Sequence, residues 1–222
     1  MVVKVPVVRD ILSANERVAQ ENQRLLESRR ICAVNLMASP GAGKTSLILR
    51  TAGVLGNRLR CGVIEGDVAS RVDADKVAAA GIPVVQINTG GACHLEAQMV
   101  GAALEQLPLE QIDLLFIENI GNLICPVEFG LGEQARVLVS SVPEGDDKPH
   151  KYPAAFAAVD AIVLNKIDLA PYVSFDREAF HRLVQGMNPD APLFPLSCAT
   201  GEGLQAWAEW LVDLVARVRG GA

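Results

Sequence analysis

Short apolar segments recur along the chain, and most are separated by stretches whose apolar positions have helical spacing. These segments are rich in β-branched residues and almost continuously apolar, which is typical of strands covered on both faces of a sheet. They predict strands over 31–37, 61–66, 83–88, 114–119, 137–142, 161–166 and 192–197.

The intervening segments predict helices, and the order of the elements indicates the fold class. Helices are predicted over 44–56, 71–80, 94–107, 175–186 and 203–219, after an amphipathic helix at 8–29. Strands that alternate with helices predict an α/β fold, with a mostly parallel central β-sheet flanked by helices. We expect a single domain over 1–222, in which 1–30 hold the amphipathic helix and 31–222 the sheet. The polar, proline-flanked stretch 143–153 is expected to be a long surface loop.

Composition narrows the class of protein further. The 222 residues are 50% hydrophobic and 21% charged, so the chain has enough apolar surface to bury a core. Its apolar runs are shorter than the roughly 18 residues that a membrane span needs, and residues 1–30 are too charged for a secretory signal. A net charge of −6 argues against nucleic acid or an anionic membrane as a partner. We therefore expect a cytoplasmic protein with reduced cysteines.

A phosphate-binding loop follows the first predicted strand. The sequence ASPGAGKT at 38–45 stands between that strand and a helix, which is the context that a P-loop requires; Ala38 replaces the usual first glycine. Its backbone N–H groups are expected to surround the phosphates, with a lysine near the β- and γ-phosphates and a threonine hydroxyl on Mg²⁺. The predicted nucleotide contacts in this segment are Gly41, Ala42, Gly43, Lys44, Thr45 and Ser46.

A second motif indicates which base is bound. Asn165, Lys166 and Asp168 form an NKxD pattern at the end of a predicted strand. The aspartate carboxylate can accept hydrogen bonds from guanine N1–H and the 2-amino group, which adenine does not offer. After the last predicted strand, Ser197, Cys198 and Ala199 stand where a second base-contacting loop is expected. Together with the P-loop, these motifs predict a P-loop NTPase of the G-domain type that binds GTP and GDP.

Two carboxylates are expected near Mg²⁺ and the attacking water. Glu118 ends a predicted strand, and Gly121 follows three residues later, which is the spacing of a loop that senses the γ-phosphate. Asp67 ends another strand at the same edge of the sheet, where open α/β sheets bind ligands. The alternative for Asp67 is a helix N-cap. We expect Lys44, Asp67 and Glu118 to support GTP hydrolysis, with Thr45, Asp67 and Glu118 near Mg²⁺.

Cys93, His94 and Cys125 form a candidate transition-metal site. Two thiolates and an imidazole suit Zn²⁺ or Ni²⁺ better than Mg²⁺ or Ca²⁺. We expect Cys93 to begin a helix, with a lowered pKa, and the two cysteine segments to leave neighbouring strands. The alternative is two buried thiols and a surface histidine. Because three ligands leave a tetrahedral site incomplete, we expect a transfer site or a site that a second subunit completes.

The remaining cysteines, histidines and tryptophans have simpler interpretations. Cys32 and Cys61 lie in apolar segments and are expected in the core, and Cys198 is expected to pack or to make a backbone contact. His150 and His181 are expected at the solvated surface. Trp207 and Trp210 belong to an apolar stripe on the last helix that is expected to face the core.

Taken together, these residues resemble the HypB family, SIMIBI-class P-loop GTPases that incorporate nickel during hydrogenase maturation. The resemblance covers nearly the whole chain, and its most specific parts are the Cys-His and ENIGNLICP segments. The matching segments are ASPGAGKT, EGD at 65–67, QINTGGACHLEAQMV at 86–100, LFIENIGNLICPVEFGLGE at 115–133, EGDDKPHKYP at 144–153, NKIDL at 165–169 and ATGEG at 199–203.

The resemblance implies a GTPase that assists nickel insertion into [NiFe]-hydrogenase and dimerises when GTP binds. It implies that Cys93, His94 and Cys125 bind nickel or zinc at the dimer interface. The implied partners are a hydrogenase large-subunit precursor and a companion nickel-binding maturation protein. We expect slow intrinsic turnover, because no arginine finger or water-positioning glutamine is evident; Lys148 is a candidate to reach across the dimer.

Two other functions are compatible with these residues. One is a nickel GTPase directed at urease, although the urease accessory family carries a Cys-Pro-His motif, whereas Cys93 and His94 are adjacent here. The other is a metal-binding adaptor without enzymatic function, in which GTP only stabilises a dimer.

Overall fold

Seven parallel strands form the centre of the fold. The computed structural model describes residues 7–68 and 70–220, and within these residues all strands pair in one sheet of order β3-β2-β4-β1-β5-β6-β7. The predicted mostly parallel sheet is confirmed, as every pairing is parallel. The strands are β1 (Cys32–Ala38), β2 (Cys61–Asp67), β3 (Val84–Asn88), β4 (Leu114–Gly121), β5 (Ala135–Ser141), β6 (Ala161–Asn165) and β7 (Leu193–Pro195).

Helices cover both faces of this sheet, as the alternation of elements predicts. They are α1 (Val7–Ser28), α2 (Lys44–Leu55), α3 (Val72–Ala79), α4 (Ala97–Leu104), α5 (Lys148–Lys151), α6 (Pro153–Ala157), α7 (Arg177–Met187) and α8 (Leu204–Gly220). Most boundaries lie within a few residues of the predicted ones. Over the described ranges, no helix is both long enough and apolar enough to span a bilayer.

The stretch 143–153 is not the long surface loop that the sequence predicts. A 3₁₀ turn occupies Val142–Glu144, α5 follows at Lys148–Lys151, and α6 begins at Pro153. The prediction is wrong because proline is common both in loops and at helix starts; here the prolines occupy first-turn positions, where their missing N–H costs nothing. The Glu144 carboxylate accepts hydrogen bonds from the Ser141 backbone N–H and hydroxyl, which fixes the first turn.

The main core lies between the sheet and helices α2 and α8. Trp207 is fully buried there, and its indole N–H donates a hydrogen bond to the Thr51 hydroxyl over 2.9 Å, so the predicted core-facing stripe is confirmed. Cys32 is fully buried and Cys61 half-buried at the edge of the same core. Burial raises the pKa of both thiols to about 12, which agrees with packing roles rather than reactive ones.

An ionic cluster fastens the last helix to the amino-terminal edge of the sheet. The Asp113 carboxylate precedes β4 and accepts hydrogen bonds from the Arg60 backbone N–H and guanidinium, at 2.8–3.0 Å. Arg219 of α8 donates to the same carboxylate. The hydrogen bonds from Arg60 and Arg219 lower the pKa of Asp113 far below its ordinary value.

Asp113→Asn is therefore expected to destabilise the fold by about 2 kcal/mol at pH 7, the scale of losing hydrogen bonds to a charged group. Because the folded-state pKa is lowered, the stabilisation is present above the unfolded pKa of about 4 and is lost as pH falls towards the folded pKa. Urea unfolding at pH 7 and pH 3 should show a large difference between variant and wild type at pH 7 and a smaller one at pH 3. An equal difference at both pH values would contradict the ionic account.

Candidate functional site

The P-loop joins the end of β1 to the start of α2. Gly41 and Gly43 have φ angles of +78° and +101°, a backbone region that side chains other than glycine rarely adopt. A Cβ at Gly43 would also lie 2.5 Å from the side-chain nitrogen of Asn165. Lys44 and Thr45 are the first residues of α2 and are buried, so the lysine charge and the threonine hydroxyl stand at a helix N-terminus, which favours anions.

The residues predicted to recognise the base lie directly against this loop. Asn165 Nδ2 donates to the Ala42 carbonyl over 2.9 Å, and Lys166 Nζ donates to the Gly41 carbonyl over 2.6 Å. Segments about 120 residues apart therefore form one site. They enclose a cavity of about 480 Å³, whose lining includes Gly43, Ser46, Asn165, Lys166, Asp168, Cys198 and Ala199.

Ser197 supports this cavity from behind. Its hydroxyl donates to the Asp168 carboxylate over 2.5 Å and accepts hydrogen bonds from the backbone N–H groups of Ala199 and Thr200. The Cys198 backbone N–H donates to the Asn165 side-chain oxygen over 3.2 Å, which agrees with the expected backbone-contact role of Cys198. Ser197 is thus placed to orient the carboxylate that would bind a guanine.

Asp168→Asn is expected to reduce the preference for GTP over ATP by about 5- to 150-fold, the scale of one bidentate base contact. The amide can no longer accept two hydrogen bonds from guanine, and it offers a donor suited to the carbonyl of xanthine. Competition of GTP, ATP and XTP against a fluorescent guanine nucleotide measures this change, and XTP should gain affinity. An unchanged order of affinities would show that Asp168 does not contact the base.

The carboxylates predicted near Mg²⁺ line a second cavity at the other end of the P-loop. This cavity, of about 330 Å³, is lined by residues that include Lys44, Asp67, Glu118 and Gly121. The Thr45 hydroxyl donates to Glu118 Oε1 over 2.9 Å. A Cβ at Gly121 would lie 2.9 Å from the Pro40 ring, so the glycine allows the end of β4 to approach the P-loop closely.

Two buried carboxylates here have oxygens without hydrogen-bond partners. Burial raises the pKa of Glu118 to about 7, although Lys44 and the Thr45 hydroxyl oppose the shift. Burial raises the pKa of Glu65 to about 8, and repulsion from Glu118 adds to it. The Oε2 atoms of both side chains are buried and unpaired. Hard oxygen atoms of this kind fit Mg²⁺, which would supply the missing partner and the compensating charge.

The sequence did not single out three of the residues in this region. Glu65 lies within β2, and its sequence neighbours indicate only a strand residue. Asp73 and Lys76 belong to α3 and line the same end of the site. The N-cap alternative for Asp67 is wrong, because Arg71 precedes the first turn of α3. Asp67 Oδ1 instead accepts a hydrogen bond from the Ser70 backbone N–H over 2.6 Å.

The three predicted transition-metal ligands meet at the surface. The sulfur atoms of Cys93 and Cys125 are 3.0 Å apart, and the Cys93 sulfur lies 3.5 Å from His94 Nδ1. One possible ligand atom from each residue lies within 4.8 Å of the others. The His94 ring packs on Phe129 with centroids 4.0 Å apart, and its buried Nε2 has the Glu96 carboxylate 4.0 Å away. The alternative of separate buried thiols and a surface histidine does not describe this cluster.

The route by which these residues meet differs from the predicted one. The metal-ligand segments follow β3 and β4, which are not neighbours, since β2 lies between them. The segment after β3 crosses the end of β2, where Leu95 packs on Gly66; a Cβ on Gly66 would lie 2.9 Å from the leucine side chain. Leu95 is fully buried, so this crossing is part of the core.

Cys93 is also not at a helix N-terminus. Helix α4 begins at Ala97, and Cys93 and His94 lie in the irregular segment before it. The pKa of Cys93 is raised rather than lowered, first because its thiol forms a hydrogen bond with Cys125. The expected helix-dipole effect was wrong, and a metal ion is what would stabilise both thiolates.

The end of β4 contacts both the P-loop and the metal cluster. Glu118 accepts from Thr45, and the next residue, Asn119, accepts a hydrogen bond from the Leu95 backbone N–H over 3.2 Å. Asn122 Nδ2 donates to the Cys93 carbonyl over 3.1 Å, three residues before Cys125. One stretch of backbone, 118–125, therefore joins the predicted phosphate end of the nucleotide site to the candidate metal cluster of Cys93, His94 and Cys125.

Comparison with known proteins identifies the family. Residues 32–195 match the model of the CobW/HypB/UreG nucleotide-binding domain. The chain belongs to this family. It is 48% identical to the hydrogenase maturation factor HypB of Azotobacter vinelandii, over 92% of this chain and 68% of that protein.

Solved structures place the chain with the HypB proteins, a family of nickel-binding GTPases that act in hydrogenase maturation. HypB of Archaeoglobus fulgidus has a TM-score of 0.86 at 41% identity, over 91% of this chain and 99% of that one. HypB of Helicobacter pylori, solved in complex with nickel, has a TM-score of 0.88 at 34% identity, over 94% and 96% of the two chains. The resemblance to HypB inferred from the motifs is confirmed.

Three residues of this HypB-family chain outside the metal cluster can now be placed. His150 and His181 are exposed, as expected. Lys148 is buried: its ammonium group donates to the Ser39 hydroxyl of the P-loop over 2.5 Å and pairs with Glu144. Here Lys148 thus contacts the P-loop of its own chain rather than extending outwards, as reaching across a dimer requires.

Proposed function

We propose that this protein is a GTP-hydrolysing metallochaperone that carries Ni²⁺ at Cys93, His94 and Cys125 and assists its insertion into [NiFe]-hydrogenase. The observation that carries the proposal is the stretch 118–125, which contacts Thr45 at one end and holds Cys93 and Cys125 at the other. The binding of nucleotide and the geometry of the metal cluster would thereby be linked through this one segment.

Mg²⁺ fits the phosphate end of this site. Thr45, Glu118 and Asp67 would hold it, and the unpaired Oε2 of Glu118 supports that assignment. When bound, the ion would neutralise charge on the β- and γ-phosphates. Lys44 would bind the same phosphates, and Gly121, which lines this cavity, would contact the γ-phosphate through its N–H. Glu118 lines the cavity at the γ-phosphate end, so its carboxylate would also be within reach of the attacking water.

The metal cluster suits a soft or borderline cation that is handed on. Two sulfurs and an imidazole nitrogen select Ni²⁺ or Zn²⁺, and they leave a tetrahedral or square-planar ion short of one ligand. Cys93 is exposed, so a further ligand can approach from outside the chain. The open position fits either a second copy of the chain or the protein that receives the metal.

A GTP-dependent homodimer is the assembly we propose. Apolar side chains are exposed beside both sites: Ile124 next to Cys125 has 67% of its surface exposed, and Val68 and Val72 flank the γ-phosphate end at 45% and 58%. Burying them against a second copy would remove apolar surface from water and would complete the metal site. The other partners that we propose are the hydrogenase large-subunit precursor and a nickel-binding maturation protein that delivers the metal. We place this assembly in the reducing cytoplasm, where the five cysteines stay free.

Asn122→Ala tests the link between the two sites. In the wild type, we expect Ni²⁺ affinity with GDP to differ by about 5- to 150-fold from that with a non-hydrolysable GTP analogue, the usual range of coupling between sites. The variant loses the bond to the Cys93 carbonyl and should lose most of that difference while it still binds nucleotide. Asn88→Ala is the matched control, since the Asn88 side chain accepts a hydrogen bond from the Gly90 N–H, within its own turn. Full coupling in Asn122→Ala would contradict the proposed route.

The two alternatives differ from this proposal in client and in the use of GTP. If nickel reaches its client equally well with the non-hydrolysable analogue as with GTP, the chain acts as a GTP-stabilised adaptor. If apo-urease, but not the hydrogenase precursor, acquires nickel in a purified assay, the client assignment is wrong. The cluster of adjacent Cys93 and His94 is what favours the hydrogenase branch.

A further inference from the structure

Two asparagines of the N-terminal helix each bridge the same two segments of the fold. Asn15 Oδ1 accepts a hydrogen bond from the Ala97 N–H over 2.8 Å, and its Nδ2 donates to the Gly130 carbonyl over 2.7 Å. Asn22 Nδ2 donates to the Ala97 carbonyl over 2.8 Å and to the Leu131 carbonyl over 3.0 Å. The two asparagines are seven residues apart, which places both on one face of α1.

The bridged segments are the continuations of the two metal-ligand segments. Ala97 begins α4 three residues after His94, and Gly130 lies five residues after Cys125. The cluster depends on these segments being held together, because β3 and β4, from which they come, are separated by β2. The amide bridges of α1 join the two segments within six residues of His94 and Cys125, where the segments must stay at a fixed spacing.

Glycines in the neighbouring segments allow α1 to pack closely against them. A Cβ at Gly101 of α4 would lie 2.9 Å from Asn22 Oδ1, and a Cβ at Gly132 would lie 2.7 Å from the Ala19 carbonyl. Gly132 also has a φ of +98°. Asn22 itself is only 5% exposed. Glycine at these positions leaves the space that the bridging side chains occupy.

Ordinary helix docking does not need these asparagines. Ala19 and Leu26 of α1 are buried and would attach the helix to the sheet by apolar contact alone. Asparagine is a poor residue for a helix interior, and burying its amide is costly unless the amide is hydrogen-bonded. The first turn of α4 also takes its cap from Asn15, since its own N-cap residue, Glu96, provides no side-chain bond. The two amides therefore add directional hydrogen bonds that fix the distance between the segment at Ala97 and the segment at 130–131.

We infer that Asn15 and Asn22 are positioning residues of the metal site and clamp the two ligand-bearing segments at the spacing that Cys93, His94 and Cys125 require. The inference rests on the proposed function, in that these three residues bind the metal. It adds that α1 contributes to metal affinity without contributing to nucleotide affinity, because the clamp contacts neither the P-loop nor the base-recognition loops.

The test compares Asn15→Ala and Asn22→Leu with the wild type and with Asn188→Ala. Asn188 follows the last residue of α7 and donates to three carbonyls, those of Phe156, Ala157 and Val159. Its loss therefore removes a comparable set of hydrogen bonds, next to β6, at the other side of the sheet from β3. Ni²⁺ affinity is measured by competition with a chelator, and GDP affinity is measured by fluorescence. Thiolate-to-nickel charge-transfer absorption reports which ligands bind the nickel.

We expect each clamp variant to bind Ni²⁺ about 10- to 100-fold more weakly, as for other residues that orient metal ligands, with an altered charge-transfer spectrum and unchanged GDP affinity. Asn188→Ala should lower thermal stability but keep the wild-type Ni²⁺ affinity and spectrum. Asn15 is only half-buried, so Asn15→Ala keeps the test available should Asn22→Leu fail to fold.

Three results would overturn the inference, and they are distinguishable. If the wild type binds Ni²⁺ through the cluster and folded clamp variants match its affinity and spectrum, the clamp is wrong and the proposed function stands. A loss in the clamp variants that Asn188→Ala shows equally would mean general destabilisation and would also reject the clamp. If the wild-type chain binds no Ni²⁺, the proposed function fails and the clamp fails with it.

Discussion

Cys93→Ala is expected to remove stoichiometric Ni²⁺ binding, with affinity falling more than about 100-fold. Loss of a residue that only orients a ligand costs about 10- to 100-fold, and loss of a ligand itself should cost more. Cys93 is central to the cluster, because its sulfur lies 3.0 Å from the Cys125 sulfur and 3.5 Å from the His94 ring. Equilibrium dialysis gives the stoichiometry, and charge-transfer absorption reports whether sulfur coordinates nickel.

Cys61→Ala is the matched control for this experiment. It removes a thiol at the opposite end of the sheet, at the start of β2, and should leave Ni²⁺ stoichiometry at the wild-type value. Cys93→Ala should retain wild-type GDP affinity, since Cys93 is not among the residues that line the nucleotide cavities. One equivalent of nickel bound at wild-type affinity by Cys93→Ala would show that the ligand assignment is wrong.

The second large effect is expected at Lys44. In Lys44→Ala, GTP turnover should fall about 10²- to 10³-fold, the scale of losing one preorganised group that stabilises charge in the transition state. The lysine is buried at the first position of α2 and lines the cavity that also contains Glu118 and Gly121. Phosphate release from GTP, followed at saturating GTP and Mg²⁺, measures the loss.

Lys151→Ala provides the comparison for charge. Lys151 is exposed on α5 and pairs with Asp147 there, so removing it alters net charge equally but should leave turnover unchanged. Both variants should bind one equivalent of Ni²⁺, because neither lysine contacts the cluster. Wild-type turnover in Lys44→Ala would contradict the assignment of the P-loop as the phosphate site.

Much of the fold could be predicted from local patterns. The alternation of apolar strands and helices depends on burial of each strand, and the P-loop and NKxD motifs need particular residues at particular spacings. The contact between these motifs is confirmed by the bonds from Asn165 and Lys166 to the P-loop carbonyls. Such motifs can be recognised because the backbone geometry they impose, such as the positive φ of Gly43, allows few alternatives.

The features that could not be predicted depend on strand order and on long-range contacts. Periodicity does not show that β2 separates β3 from β4, so the crossing of Leu95 over Gly66 was missed. Glu65 has the surroundings of a strand residue in the sequence, and only the fold shows that its carboxylate faces Glu118. Proline favours both turns and helix starts, so the prolines around α5 do not show in the sequence which of the two forms.

Asn15 and Asn22 illustrate the same limit. In the sequence they are two polar positions of an amphipathic helix, indistinguishable from its solvent-facing residues. In the fold, each reaches a segment more than 70 residues away, and Asn22 is buried. A polar side chain can be buried where backbone groups of another segment form hydrogen bonds with it. The local sequence pattern does not show where such groups lie.

The most direct test of the account is a reciprocal titration of the wild-type protein. Ni²⁺ affinity is measured with GDP and then with a non-hydrolysable GTP analogue and Mg²⁺, and the affinities for both nucleotides are measured with and without Ni²⁺. Because coupling between two binding sites is reciprocal, the account predicts that the two ratios agree, at about 5- to 150-fold. Equal Ni²⁺ affinity in both nucleotide states, together with nucleotide affinities that ignore Ni²⁺, would contradict a link through residues 118–125.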